Sequence, residues 1–142
     1  MKILVAVDGS NHSLNAVHCA ITHANRYRET PSVELVYVHL PLPRLPRMEM
    51  VVSEAQVQRN YEEKGNLALM SAKLPLAVSG IAYTTRILVG PIAESIVQHA
   101  GKTGCDFIVL ATRGMGAAAN LLLGSTATKV LHISSMPVLM VT

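Results

Sequence analysis

Short aliphatic runs alternate with stretches of helical periodicity along this chain, and that alternation restricts the fold more than any other feature. Ile3-Leu4-Val5-Ala6-Val7 is the first run and ends at the turn signal Asp8-Gly9-Ser10. Leu14, Val17, Ile21 and Ala24 then recur at helical spacing and predict an amphipathic helix over roughly Asn11–Arg26. Pro31 breaks the chain, and Val33–Val38 reads as a second strand. His39–Arg47 is a proline-rich loop, because Pro41, Pro43 and Pro46 fix φ and remove backbone donors.

The pattern is helical again from about Met48 to Leu74. Val57, Tyr61, Ala68 and Ala72 mark its apolar side, and Glu54, Arg59, Glu62, Glu63 and Lys64 its solvated one. Pro75 is expected to end it. Ile81–Leu88 reads as a third strand, and Val89-Gly90-Pro91 turns it into a helix marked by Ile92, Ile96 and Ala100, with Pro91 in the first turn. Phe107–Leu110 is a fourth strand, a short helix containing Val130 and Leu131 starts near Ser125, and Val138–Val141 is the last strand. The order β-α-β-α-β-α-β-α-β predicts an α/β fold: a three-layer, open, twisted, parallel five-stranded sheet with helices on both faces, Rossmann-like. A length of 142 residues suits one domain over 1–142.

Composition agrees with this architecture. Half the residues are hydrophobic but only 4% are aromatic, so the core must rest on Val, Ile, Leu, Ala and Met. Parallel strands buried on both faces have that character. The formal charge is +3, and its densest basic stretch, Pro43-Arg44-Leu45-Pro46-Arg47, has no aromatic stacking residue. That argues against a nucleic-acid surface. Cys19 and Cys105 belong to no CxxC or Cys/His cluster, so they read as reduced thiols without metal or redox work. No leader pattern opens the sequence, and no apolar run approaches the roughly 18 residues of a membrane span. A cytoplasmic protein without a membrane partner is the expectation.

Ligands of open parallel sheets bind outside the carboxyl ends of the strands, where strand order reverses. That rule selects Asp8-Gly9-Ser10, His39-Leu40 and the loop after Leu110. The last runs Ala111-Thr112-Arg113-Gly114-Met115-Gly116, then Ala117 to Leu123, then Gly124-Ser125-Thr126 and a helix. Glycines let backbone approach a bound group closely, a helix start offers free N–H groups, and Ser125 and Thr126 add hydroxyls. Arg113 is the only arginine beyond Arg86, and no Asp or Glu follows Asp106. The loop therefore suits phosphate oxygens. It equally suits a plain surface loop in which Gly124 opens the helix and Ser125 caps it. On these residues alone both readings stand.

Two familiar phosphate motifs fail. There is no GxxxxGK[ST]. Gly114-Met115-Gly116-Ala117-Ala118-Ala119 imitates a dinucleotide fingerprint, but it follows the fourth strand and lacks the downstream acid that would take a ribose hydroxyl.

Over essentially its whole length, however, the chain resembles the universal stress protein family. Ile3-Leu4-Val5-Ala6-Val7-Asp8-Gly9-Ser10 is similar to that family's first strand and turn, His39-Leu40 stands at its second strand end, and Gly90-Pro91-Ile92 followed by Ile96 resembles its third-strand exit. Its nucleotide-binding members carry a G-x2-G-x9-G-[ST] loop. Gly114, nine residues and Gly124-Ser125 match it, with Ala111 in the first glycine's place.

The resemblance implies that Asp8 meets the adenosine part of ATP and that backbone near Leu40 contacts adenine. It implies that Ala111, Arg113, Gly114, Gly124, Ser125 and Thr126 form the phosphate side. A divalent ion, Mg2+ or Mn2+, would be bound through the phosphates, and AMP or another adenine nucleotide could take ATP's place. It further implies a homodimer along the edge strand 138–141, where Pro137 stands at the strand start. Asp8 has a structural alternative as turn former or cap. A positive φ at Ala111 would cost its methyl about 1–2 kcal/mol.

Two functions follow. One is an ATP-binding regulatory module with at most slow hydrolysis, since no nucleophile–base pair is evident. The other is a stress or scaffold protein of the same family that works without nucleotide. His39 reads as a packed strand-end residue, and His12, His18, His23, His99 and His132 as surface or helix-face residues without ligand spacing.

Overall fold

A computed structural model describes residues 1–43, 52–115 and 122–142. Five strands alternate with four helices: β1 (Lys2–Ala6), α1 (Asn11–Ala24), β2 (Ser32–His39), α2 (Glu54–Ser79), β3 (Tyr83–Val89), α3 (Ile92–Lys102), β4 (Phe107–Ala111), α4 (Ser125–Ile133) and β5 (Val138–Val141). The sheet order is β3-β2-β1-β4-β5 and every described pairing is parallel. This is the α/β layering that the alternation predicts, with element ends shifted by a few residues. The order reverses at β1, which lies between β2 and β4, so a crevice opens where those two strands part.

The sheet is buried on both faces. Ile3, Val5, Leu35 and Val109 pack with Val17, Ala20, Leu69 and Leu76 of α1 and α2. Leu4, Val36 and Ile108 pack with Ile96, Ala100 and Val130 of α3 and α4. Successive strand residues thus serve opposite faces, as the pleat requires. The proline-rich loop beyond Pro43 and the expected helical residues before Val52 lie outside the described residues, as do Gly116–Leu121 of the glycine-bearing loop.

Helix α2 corrects the sequence reading at Pro75. Proline lacks the N–H that would bond one turn back, so the helix was expected to stop before it. It continues instead to Ser79, with Pro75 inside. Leu76, just beyond the proline, is fully buried and anchors the final turn. Ser79 Oγ closes that turn by donating to the Leu76 carbonyl at 2.7 Å. Burial of one large apolar side chain, worth about 1.5–3 kcal/mol, offsets most of the proline's cost. At the other end Ser53 is the N-cap of a capping box, its side chain accepting from Gln56 N while the Gln56 side chain accepts from Ser53 N.

A buried ionic cluster sits near the amino ends of the strands. Glu34 of β2 is 2% exposed. Lys2 Nζ approaches its carboxylate at 2.6 Å, His99 Nε2 at 3.2 Å and Arg86 Nε at 3.9 Å. Burial pushes the Glu34 pKa up, but hydrogen bonds from Lys2 and His99 and the Lys2 charge outweigh it and hold the carboxyl below its usual range. His99 is therefore more than the ligand-free helix-face residue that its spacing suggests. Cys19 and Cys105 are both unpaired; Cys105 is buried beside this cluster, whereas Cys19 is only half-buried.

Candidate functional site

At the opposite, carboxyl end of the sheet the structure gathers the turn after β1, the exit of β2 and the loop after β4 around one cleft of about 710 Å³. Asp8, Leu40, Ala111, Arg113, Gly114, Gly124, Ser125 and Thr126 all line it. Every candidate site residue from the sequence thus shares one cavity. Its floor is apolar, made by Val36 and Val38 of β2 and by Ile92 and Ile96 at the start of α3.

The turn after β1 aims Asp8 across the cleft. Gly9 takes a left-handed φ of +84°, and a Cβ there would also press on the Ala68 backbone of α2 at 3.3 Å. Ser10 caps α1 by accepting from Ser13 N. Asp8 Oδ1 accepts from Ser10 N at 2.9 Å, an Asx-turn bond. Its other oxygen, Oδ2, reaches the far loop and accepts from Met115 N at 2.8 Å. The turn-forming role therefore coexists with a bond across the cleft in one carboxylate. Burial raises the Asp8 pKa, but hydrogen bonds from Ser10, Met115 and Ser13 outweigh that and hold it below the usual value.

Gly114 is required by this approach. A Cβ at 114 would lie well inside van der Waals contact of Asp8 Oδ2. The loop is closed at its base, where Gly124 N donates to Thr112 O at 2.6 Å. Gly124 is the N-cap of α4 and provides no side-chain cap; Ser125 lies inside the helix and does not cap it. The first intrahelical bond returns from Thr128 N to Gly124 O. The N–H groups of Ser125, Thr126 and Ala127 consequently have no partner within the helix, and these three residues line the cleft. Arg113 Nε is buried with no hydrogen-bond partner among the described residues.

Ala111 ends β4, pairs with Val141 and is 7% exposed. Among the described residues no non-glycine residue has a positive φ. The backbone cost foreseen for its methyl does not arise, and the methyl belongs to the core beneath α1. His39 is half-buried between its neighbours and also lines the cleft: its ring lies 6.1 Å from Tyr37 and 4.8 Å from Tyr61, and Nδ1 is 2.6 Å from Leu40 O. Tyr61 Oη accepts from Leu42 N, tying the β2 exit to α2. Among the described residues no group of three His, Cys, Asp or Glu gathers as a metal site, and no helix is long and apolar enough to cross a membrane.

Sequence reasoning missed Ser13, Tyr37 and Met115. Met115 contributes a backbone N–H, which leaves no trace in side-chain identity. Ser13 could have been found, because a hydroxyl three residues after a helix cap points back at the cap; its Oγ donates to Ser10 O at 2.8 Å.

An open parallel sheet with a glycine-bearing loop and a helix start at its switch point defines a class of α/β domains. Within that class the family model of the universal stress protein family matches residues 1–142, and the chain belongs to that family. It is 33% identical to universal stress protein MJ0531 of Methanocaldococcus jannaschii, over 99% of this chain and 81% of that one. It is 28% identical to universal stress protein YxiE of Bacillus subtilis, over 99% and 97% of the two chains. Universal stress protein UspA from Lactobacillus plantarum superposes with a TM-score of 0.83 at 20% identity, covering 100% of this chain and 97% of that one. A universal stress protein solved in complex with cAMP gives 0.72 at 23% identity, over 100% and 97%. An Arabidopsis thaliana family member with AMP bound gives 0.66 at 17%, over 99% and 90%. At these identities the structural likenesses are likenesses of fold.

Proposed function

We propose that this protein is an adenine-nucleotide-binding regulatory module with little intrinsic turnover, in which the base lies over the apolar floor near Leu40 and the phosphates face the α4 start. ATP with Mg2+ or Mn2+ is the fullest form of this reading. The observation that carries it is the α4 side of the cleft: N–H groups of Ser125, Thr126 and Ala127 without a partner inside the helix, two hydroxyls, and the buried Nε of Arg113. Family members crystallised with cAMP and with AMP support the ligand class.

Both Asp8 oxygens already accept backbone N–H bonds, so a divalent ion would be held through phosphate oxygens and not by this carboxylate alone. The same bonds lower its pKa and make it a weak proton acceptor, which argues for a binding module over a hydrolase. As a homodimer the protein would pair along β5, an edge strand whose four residues are apolar and half-buried.

Mass spectrometry of the protein as purified should detect an adenine nucleotide. Calorimetric titration with ATP and magnesium should then give saturable binding that Gly124→Val weakens at least tenfold. Equal affinity in both proteins would overturn the loop assignment, and rapid release of ADP by the protein alone would overturn the non-catalytic reading. Absence of binding to ATP, AMP and cAMP alike would leave the scaffold function in its place.

A further inference from the structure

Helix α2 changes character at its midpoint. Glu54–Lys64 carries Glu54, Arg59, Glu62, Glu63 and Lys64, whereas Gly65–Ser79 carries only Lys73. In that second half the inner face buries Ala68, Leu69, Ala72 and Leu76 against the sheet and α1. The outer face is mostly apolar as well: Leu67 is 70% exposed, Met70 64%, Leu74 68% and Val78 80%, with Ala77 exposed beside them and Asn66 and Ser71 as the exposed polar residues of this half. A helix with large apolar side chains on both faces is normally covered on both sides. Leu67, Met70, Leu74 and Ala77 follow the alternating three- and four-residue spacing of a coiled-coil seam.

We propose that this stripe is a self-association surface whose occupant is the α2 helix of a second copy, packed antiparallel about a two-fold axis level with Ala72. In that register Met70 of each copy meets Leu74 of the other, and Leu67 meets Ala77, so a large side chain faces a small one at both ends of the seam. A parallel pairing would set Ala77 on Ala77 and leave a gap. It would also bring the two charged halves side by side, like charge on like, with the helix dipoles aligned. The antiparallel register carries each charged half past the partner's Ser79, so the overlapping halves carry Lys73 as their one charge.

The area fixes the strength. Four exposed apolar side chains at roughly 100 Å² each give on the order of 400 Å² per copy. That is about half of what a standard interface buries per partner. The result is a weak dimer that forms and dissociates in the micromolar range. Helix α2 packs on β2, β3 and α1, on the β3 side of the sheet, and contributes no residue to the cleft at the switch point. This contact is therefore separate from both the nucleotide pocket and the β5 edge.

Sedimentation of the full chain from about 1 to 200 µM tests it. The wild type should show concentration-dependent association, and Leu74→Lys should weaken that step at least tenfold while leaving Tm unchanged, because Leu74 is solvent-facing in the monomer. In a Cys19→Ser background, the pair Met70→Cys with Leu74→Cys should form a covalent dimer with oxidised glutathione, and Leu67→Cys alone should not. Identical sedimentation of wild type and Leu74→Lys overturns the proposal. So does cross-linking of the double variant no faster than that of Leu67→Cys.

Discussion

Two carboxylates sit at opposite ends of the same parallel sheet and are stabilised by different means. Glu34, near the amino ends, is 2% exposed and surrounded by Lys2, His99 and Arg86. Asp8, beyond the carboxyl end of β1, is only partly buried and held by backbone N–H groups of Ser10 and Met115. Both pKa values are lowered against the pull of burial. A buried carboxylate bonded to Lys2 and His99 ties three elements together. A carboxylate held by N–H groups at the lip of a cleft fixes two loops and keeps that cleft open. The sheet thus has one end closed by an ion cluster and one end that opens on a cleft.

The sharpest way to break this contrast is to remove Glu34. Glu34→Ala leaves Lys2 and His99 without their anion, and we expect a loss of about 2–3 kcal/mol in urea unfolding, less than a fully buried pair because Lys2 is 29% exposed. Nucleotide affinity measured below the unfolding transition should stay within about twofold. A larger loss of affinity would show that the two ends are coupled.

Gly114→Val tests the other end. Its side chain must displace the Asp8 carboxylate, so affinity for adenine nucleotide should fall at least tenfold, about 1.4 kcal/mol, with a smaller change in stability. Unchanged affinity would separate Asp8 from ligand binding.

Acid unfolding compares both carboxylates directly. Their folded pKa values lie below the ordinary 3.8 for Asp8 and 4.5 for Glu34. The stability they contribute is therefore complete above those ordinary values and is lost as pH falls through the lower folded ones. Urea midpoints of the wild type should drop from about pH 5 downward, and Glu34→Gln should flatten that drop. An equally steep acid limb in Glu34→Gln would mean that other carboxylates carry it. The smallest effect is expected at Ala111→Gly. Because φ at 111 is ordinary, affinity should change less than about twofold while stability falls by about 0.5–1 kcal/mol. A tenfold gain in affinity would show that the bound loop needs a glycine there.

The elements of the candidate site are largely legible in the sequence. Asp8, Leu40 and the residues from Ala111 to Thr126 follow strands, and strand ends on a parallel sheet converge by topology. Glu34 was not legible. A glutamate inside an aliphatic strand announces a buried charge, but its partners come from β1, β3 and α3, and only strand order and register bring them within reach. Pro75 misled for a related reason: local propensity says stop, and the burial of Leu76 against the sheet overrides it.

Periodicity and turn chemistry, which act between residues a few positions apart, determined the alternation of strands and helices, the parallel sheet and the general place of the phosphate-type loop. Long-range contacts decided what those local rules cannot express. They set Asp8 against Met115 across 107 positions, left the start of α4 without a side-chain cap, gave Ala111 an ordinary backbone, and faced Leu67 and Leu74 of α2 outward while Leu69 and Leu76 pack inward. Each depends on which surfaces meet once the sheet has closed, and that is a property of packing, which no local window of the chain contains.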